Sequence, residues 1–337
     1  VDILKDVKLT DWESFKIDRS LIKKAREQGR ERFRGQVKTY LKELMNWLPK
    51  DRSIHFAHLM AGGVPRARIL MPIMNRVFKG TGDRFLESET FWKSDIGHLC
   101  AESFSAVTAD TFEVLIEETT ALRKEWEAAK QHVSYSGYGY HGTEILFGDT
   151  YKWQSYAPYL QGWAKMELED IAKKAFKLDV KAAVYNCPEI LTNSSSIFQG
   201  VEVPLYPLLK AIKKESKNSA KSVEIWEKCQ SLLKEGVSVD DILNICEKTL
   251  TSPEVKARSN FESWPDHNEK SQMETLLAAS NEIIDKHISD KNLMTAVLSE
   301  AVFSACGTTM LLDMRHPKNA VSWLNHDLVA RHFAHDI

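Results

Sequence analysis

Tyr156 and Lys165 stand nine positions apart. A phenol beside an ammonium can stabilise negative charge that develops on a carbonyl oxygen, because the cation makes the phenol a better proton donor. Nine residues at about 100° each would place the two on opposite faces of one regular helix. Tyr156 precedes Pro158, however, and proline favours the first helical position. The phenol can therefore fold back over the lysine face of a helix expected from Pro158 to Phe176. A tyrosine at this distance from a basic residue arises about once by chance in a chain of this composition, so the pair gains weight only from the segments around it.

Those segments follow three strands. Ser53–Ala61 is short and mostly apolar, and it runs into Gly62-Gly63. A second strand begins at His132 and continues through a Gly/Tyr-rich stretch to Leu146, and a third spans Lys181–Asn186. Helical periodicity fills the intervals, near 87–107, 109–130 and 158–176, and almost everything after 202. Strands alternating with helices of this length predict an α/β fold with a mainly parallel sheet flanked by helices. In such sheets ligands bind beyond the carboxyl ends of the strands. The candidate segments are thus Met60-Ala61-Gly62-Gly63, then Tyr138 and Tyr140 with Gly142-Thr143-Glu144, and then Pro188-Glu189-Ile190-Leu191-Thr192 with the hydroxyl run Ser194–Ser196. Gly162, one turn before Lys165, leaves space for a sugar beside the ammonium.

Taken in this order, the three segments resemble the trans-2-enoyl-CoA and enoyl-acyl-carrier-protein reductases, an offshoot of the short-chain dehydrogenases marked by a Tyr-x8-Lys motif. Tyr156 and Lys165 match that spacing. Tyr138-x-Tyr140-x-Gly142-Thr143-Glu144-Ile145 is similar to the family's segment whose first tyrosine contacts substrate. Leu191-Thr192, with Ser194-Ser195 and Pro204-Leu205-Tyr206, resembles the segment that holds the nicotinamide and leads into the substrate helix, and Met60-Ala61 falls where the family lines its cofactor.

The resemblance implies a Rossmann-like core and NADH- or NADPH-dependent reduction of the carbon–carbon double bond of an enoyl-CoA or enoyl-carrier thioester. It implies Tyr156 and Lys165 as catalytic, Tyr138 and Tyr140 as substrate-binding, and Met60, Ala61, Lys165, Ile190, Leu191 and Thr192 as cofactor-binding. Hydride added at the β-carbon leaves an enolate, which Tyr156 would stabilise within the field of Lys165. The apolar stretch Val201–Ile212 would wall the acyl chain. The link between Tyr138 and Tyr156 is longer than in the family, which leaves Tyr151 and Tyr159 as alternatives.

No GxGxxG stands near the N-terminus, and the first fifty residues carry charged helical text where the family has a strand and a Gly-rich turn. We therefore expect the chain to continue a longer polypeptide. Two other readings stay open: a ketone-reducing short-chain dehydrogenase, and a cofactor-free acyl-binding or scaffold protein that kept the fold.

The remaining features bound the problem. The 337 residues carry 45 Lys and Arg against 47 Asp and Glu, a balance without the basic excess that a nucleic-acid surface needs. No run of about 18 uninterrupted apolar residues announces a membrane span. Five scattered cysteines without a CxxC pair fit a reduced, cytoplasmic setting. His55 and His58 lie three apart on a strand and so on opposite faces. The histidines near the C-terminus lack a zinc-type pattern, so no metal is assigned. GxSxG is absent, which leaves a serine nucleophile unsupported. Arg66, Arg68, Arg76 and Lys79 form a basic stretch suited to coenzyme phosphates or an acidic carrier protein. We divide the chain into a charged helical segment at 1–52, the sheet core with the candidate site at 53–215, and a helical segment at 216–337 packed on that core, in a protein able to form homo-oligomers.

Overall fold

The computed structural model describes residues 2–60, 62–155, 160–192, 200–217 and 219–334. Among these residues lie six strands, β1 (Ile54–His58), β2 (Val133–Gly139), β3 (Thr143–Phe147), β4 (Thr150–Gln154), β5 (Lys181–Asn186) and β6 (Val321–Trp323). Four of them form a parallel sheet in the order β1-β2-β5-β6, while β3 and β4 make a separate antiparallel hairpin. Helices cover both faces of the sheet, as a parallel sheet requires. The expected α/β architecture is therefore the observed one.

The pleat sorts the core. In β5, Ala182 and Val184 point into a cluster with Val133, Tyr135, Phe112, Trp126 and Leu168, whereas Ala183 and Tyr185 point into a cluster built from the C-terminal helices. Successive side chains of a strand face opposite ways, so one six-residue strand serves two cores. The helix Gly162–Lys177 closes the first face through Leu168, Ala172 and Ala175. The second face carries Leu205, Leu208 and Ile212, together with Leu298, Val302 and Ala305 from the long helix Met294–Asp313.

Three details depart from the sequence reading. The stretch expected as one strand from His132 to Leu146 breaks at His141-Gly142. Gly142 has φ +84°, and a Cβ there would lie 2.3 Å from the Gln154 carbonyl oxygen, so only glycine lets the chain turn into the hairpin. The described helix begins at Gly162, past Pro158. The space left by the missing side chain of Gly162 is taken by Trp264 and Pro265, whose atoms would sit 3.2 and 2.7 Å from a Cβ, so that space is not a sugar site. Within the part read as helical throughout, Val321–Trp323 adds the fourth strand beside β5. Three residues are too short to display a period.

The N-terminal helix Arg19–Leu44 presents Val37 and Leu41 to the core, while Tyr40, which helical spacing puts beside them, is 55% exposed. Charge fixes much of its position. Arg26 bonds Asp110 at 2.7 and 2.8 Å and Glu102 at 2.9 Å, and Arg30 and Arg34 continue the row to Glu113, Glu117 and Glu118. Met294–Asp313 is, among the described residues, the one helix long and apolar enough to cross a membrane, and 44% of that stretch is buried inside the fold.

Two buried histidines make the fold sensitive to acid. Burial, and secondarily the Lys165 charge, hold His58 down to about 4, and burial holds His326 to about 3. Neither ring nitrogen of His326 has a partner among the described residues. Both values lie below the ordinary 6.5, so as pH falls the unfolded chain takes up protons first and stability is lost. Each histidine contributes on the order of 3 kcal/mol of that loss across the window from about 6.5 down to its folded value. Thermal melts between neutral pH and about pH 4.5 should show a steep fall in Tm, and His326→Leu should flatten it. An unchanged slope in that variant would contradict this assignment.

Candidate active site

The carboxyl ends of β2 and β5 bound a largely apolar cavity of about 500 Å³. Tyr138 and Tyr140 enter from the end of β2, while Tyr185, Cys187, Glu189, Ile190 and Thr192 enter from β5 and the segment after it. The far wall is Val201 with Val302, Phe303, Cys306, Gly307 and Met310. Of the apolar stretch expected to wall an acyl chain, only Val201 lines the cavity. Tyr206 is buried elsewhere, its hydroxyl 2.9 Å from Thr295. The helix Met294–Asp313 supplies the rest, a contribution that no spacing rule could reveal from more than a hundred residues away.

Lys165 reaches the site from below. The helix Gly162–Lys177 lies against β2 and β5. Lys165, 4% exposed, donates from Nζ to the Tyr138 carbonyl oxygen at 2.5 Å. Desolvation brings its ammonium down to about 8, so at neutral pH it remains mostly charged. One turn on, Glu169 accepts from Asn186 Nδ2 at 2.9 Å and sits 3.2 Å from His141 Nδ1, tying the ends of β2 and β5 together. His141 is stacked between Phe261 and Trp264, with ring centroids 4.6 and 4.2 Å away.

At the end of β1, His58 Nε2 lies 2.8 Å from Thr111 Oγ1, whose own hydrogen goes to the Val107 carbonyl oxygen at 2.6 Å. Burial, which brings this histidine down to about 4, keeps it a neutral imidazole near pH 7. His55, on the other face, bonds Ser134 and Ser136 at 2.9 Å each. No group of three or more His, Cys, Asp or Glu side chains that could hold a metal occurs among the described residues.

The proposed site residues thus divide. Tyr138, Tyr140, Ile190 and Thr192 meet at the cavity, and Lys165 is bonded to the backbone of the first. Leu191 is 45% exposed, its N–H donating to Ser299 Oγ at 2.9 Å, and Met60 is 39% exposed at the end of β1. Tyr156, Tyr159, Ala61 and Ser194–Ser196 lie outside the described residues. Tyr151, the remaining alternative for the phenol, is turned to Glu215 at 2.9 Å and does not line the cavity.

Two groups escaped the sequence reading as site residues. Glu189 is buried in the cavity wall and receives the Tyr140 hydroxyl hydrogen bond, and burial pushes its carboxyl up to about 7. Cys187, just after β5, and Cys306, on the far wall, are in contact, and that contact together with burial drives the Cys306 thiol far upward. The only sequence signal for Glu189 was a lone acid directly after a strand and a proline.

A comparison with curated proteins finds no match. The family model of FabMG, an enoyl-acyl carrier protein reductase, matches residues 1–333. Among solved structures, the chain is similar to an apo structure of FabMG described as a novel type of enoyl-acyl carrier protein reductase. The two are 43% identical with a TM-score of 0.95, over 98% of this chain and 75% of that one. An NADH-bound structure of FabMG is 40% identical with a TM-score of 0.79, over 97% and 76% of the two chains. On sequence and fold together, the chain belongs to the FabMG family of enoyl-acyl carrier protein reductases.

Proposed function

We propose that this chain uses NADH to reduce the double bond of a 2-enoyl chain carried as a thioester on an acyl carrier protein, with the acyl chain in the cavity beyond β2 and β5. The observation that carries this reading is the cavity itself: an apolar wall for the chain, with Tyr138 and Tyr140 at the strand end where the reacting carbons would lie. Pockets of this size and character suit a largely apolar ligand held by a few convergent polar groups.

The strand ends fit the nicotinamide half of the cofactor. Lys165 presents a buried cation under Tyr138, and the backbone from Glu189 to Thr192 leaves β5 beside the cavity. Met60, Ala61, Lys165, Ile190, Leu191 and Thr192 are the residues that would hold the cofactor. Its chemistry is the supply of hydride to the β-carbon. Everything else falls to the protein. Tyr156, in the Tyr-x8-Lys relation to Lys165, donates to the thioester oxygen as charge accumulates there, and the ammonium field makes that donation easier. Tyr138 holds the thioester, and the apolar wall excludes water from the carbanion-like centre. The motif spacing and the three strand-end segments support reading the chain as a relative of the short-chain dehydrogenases. Arg66 and Arg68, both exposed after β1, would meet the phosphate of the carrier's pantetheine arm.

The test is NADH oxidation followed with a 2-enoyl-carrier thioester and, separately, with a 3-ketoacyl thioester. Turnover of the enoyl substrate alone is expected. Turnover of the ketone alone would replace this reading with a carbonyl reductase, and binding without any NADH oxidation would favour an acyl-binding protein.

A further inference from the structure

Glu189 is the one carboxyl group in the cavity wall among the described residues, and its surroundings are unusual for a carboxyl group. It is 9% exposed. Its Oε1 accepts the Tyr140 hydroxyl, while its Oε2 is buried with no hydrogen-bond partner among the described residues. No cation among the described residues offsets it: burial is the dominant influence on its acidity, opposed by Tyr140 and its own backbone. Leaving a carboxyl oxygen desolvated and unpaired is costly, and such groups are concentrated where chemistry needs a proton at hand.

We propose that Glu189 is the acid that delivers the proton to the α-carbon of the reduced substrate, with Tyr140 holding its carboxyl in place. This rests on the reading of the cavity as the enoyl site. The electrons balance as follows. Hydride at the β-carbon shifts the π pair onto the thioester oxygen, giving the enolate. The enolate pair then takes the proton from Glu189 Oε2, forming the α-carbon–hydrogen bond and restoring the carbonyl. Glu189 is left as a carboxylate, stabilised by the hydrogen bond from Tyr140, and water reprotonates it after product leaves. The two oxygens have separate tasks: Oε1 is committed to Tyr140, so the transferable proton sits on the oxygen that nothing else occupies.

The titratable groups that share the cavity are Tyr138, Tyr140, Tyr185, Cys187 and Cys306, with Asp313 behind Tyr185 at 2.7 Å. Burial and Asp313 hold Tyr185 well above the ordinary phenol range, and contact with Cys187 and burial hold Cys306 far above the thiol range, so neither loses its proton near neutrality. Glu189, raised to about 7 by burial, is the carboxyl group that ionises there, and Lys165 follows at about 8.

Glu189→Gln keeps the shape and removes the proton. It should lower kcat with an enoyl thioester by about a hundredfold or more, the range for loss of a general acid, with NADH affinity unchanged. In the wild type kcat/KM should fall above about pH 7 and fall twice as steeply above about pH 8 as Lys165 also deprotonates. E189Q should keep only the second inflection. Infrared spectra of the protein without cofactor or substrate should show a protonated carboxyl band fading around pH 7 that is missing in E189Q. A kcat within threefold of wild type, or an unaltered pH profile, overturns the proposal. Should E189Q fail to fold, Tyr140→Phe decides. Losing the donor that favours the carboxylate should move the first inflection to higher pH, and an unmoved inflection again overturns it. A wild-type enzyme that does not oxidise NADH with any enoyl thioester would instead remove the parent reading.

Discussion

Lys165→Met should give a protein that is at least as stable as the wild type and almost inactive. Lys165 is 4% exposed, and among the described residues it has no carboxylate partner, only the Tyr138 carbonyl oxygen. Burying that ammonium costs the fold free energy, seen in its descent from 10.5 to about 8. The shift corresponds to about 3 kcal/mol, partly offset by the single hydrogen bond. Below about pH 8 both folded and unfolded chains carry the proton and the whole cost is present. As pH rises from 8 towards 10.5 the unfolded chain alone stays protonated, and the cost disappears.

Chemical denaturation should therefore find Lys165→Met more stable by up to about 3 kcal/mol near neutrality, an advantage that shrinks towards pH 10. Its kcat/KM for an enoyl thioester should fall at least a hundredfold, the scale for losing one electrostatic stabiliser of an oxyanion. A lysine kept only for structure would show the reverse pattern. Activity within tenfold of wild type in this variant would rule out its catalytic assignment.

Gly307 offers a second large effect, this time on substrate choice. It lies in the middle of the helix Met294–Asp313 and lines the cavity, and a Cβ built on it meets no atom within 4 Å. Gly307→Ala should add up to about 1 kcal/mol of stability through helix propensity alone and leave turnover intact. Gly307→Leu would push a branched side chain into the space reserved for the acyl chain. Discrimination by one or two methylenes in an apolar pocket is worth about 10- to 200-fold. KM for a long-chain enoyl substrate should rise on that scale while a four-carbon crotonyl thioester is still reduced. Equal effects on both lengths would mean that the acyl chain lies elsewhere.

Much of this site was legible in the residues because the relevant information was local. Strand β5 ran Lys181–Asn186 as expected, since a continuous apolar stretch between a helix and Cys187-Pro188 has few other solutions. Strand β1 and the helices near 87–130 followed from the same local patterning, and Tyr138 and Tyr140 were placed at a strand end by position alone. Elsewhere local signals misled. Tyr40 satisfies the helical period yet faces solvent, because the Arg26, Arg30 and Arg34 pairings set the rotation of its helix. Gly162 looked like clearance for a ligand and proved to be clearance for Trp264 and Pro265, a hundred residues later in the chain.

By itself, then, the amino-acid order determined the alternation of strands and helices, the parallel sheet, and the strand ends where chemistry had to sit. Propensity, periodicity and turn residues act over a few positions, and those are the distances over which a linear pattern can be read. Only the tertiary structure decided that β6 lies beside β5 in the sheet, that Met294–Asp313 walls the cavity, and that Glu189 is buried there with one oxygen bonded to Tyr140 and the other without a partner among the described residues. Burial and desolvation are properties of what surrounds a group in three dimensions. An ordinary surface acid and a buried carboxyl group held near neutrality are the same letter in the chain until packing sets them apart.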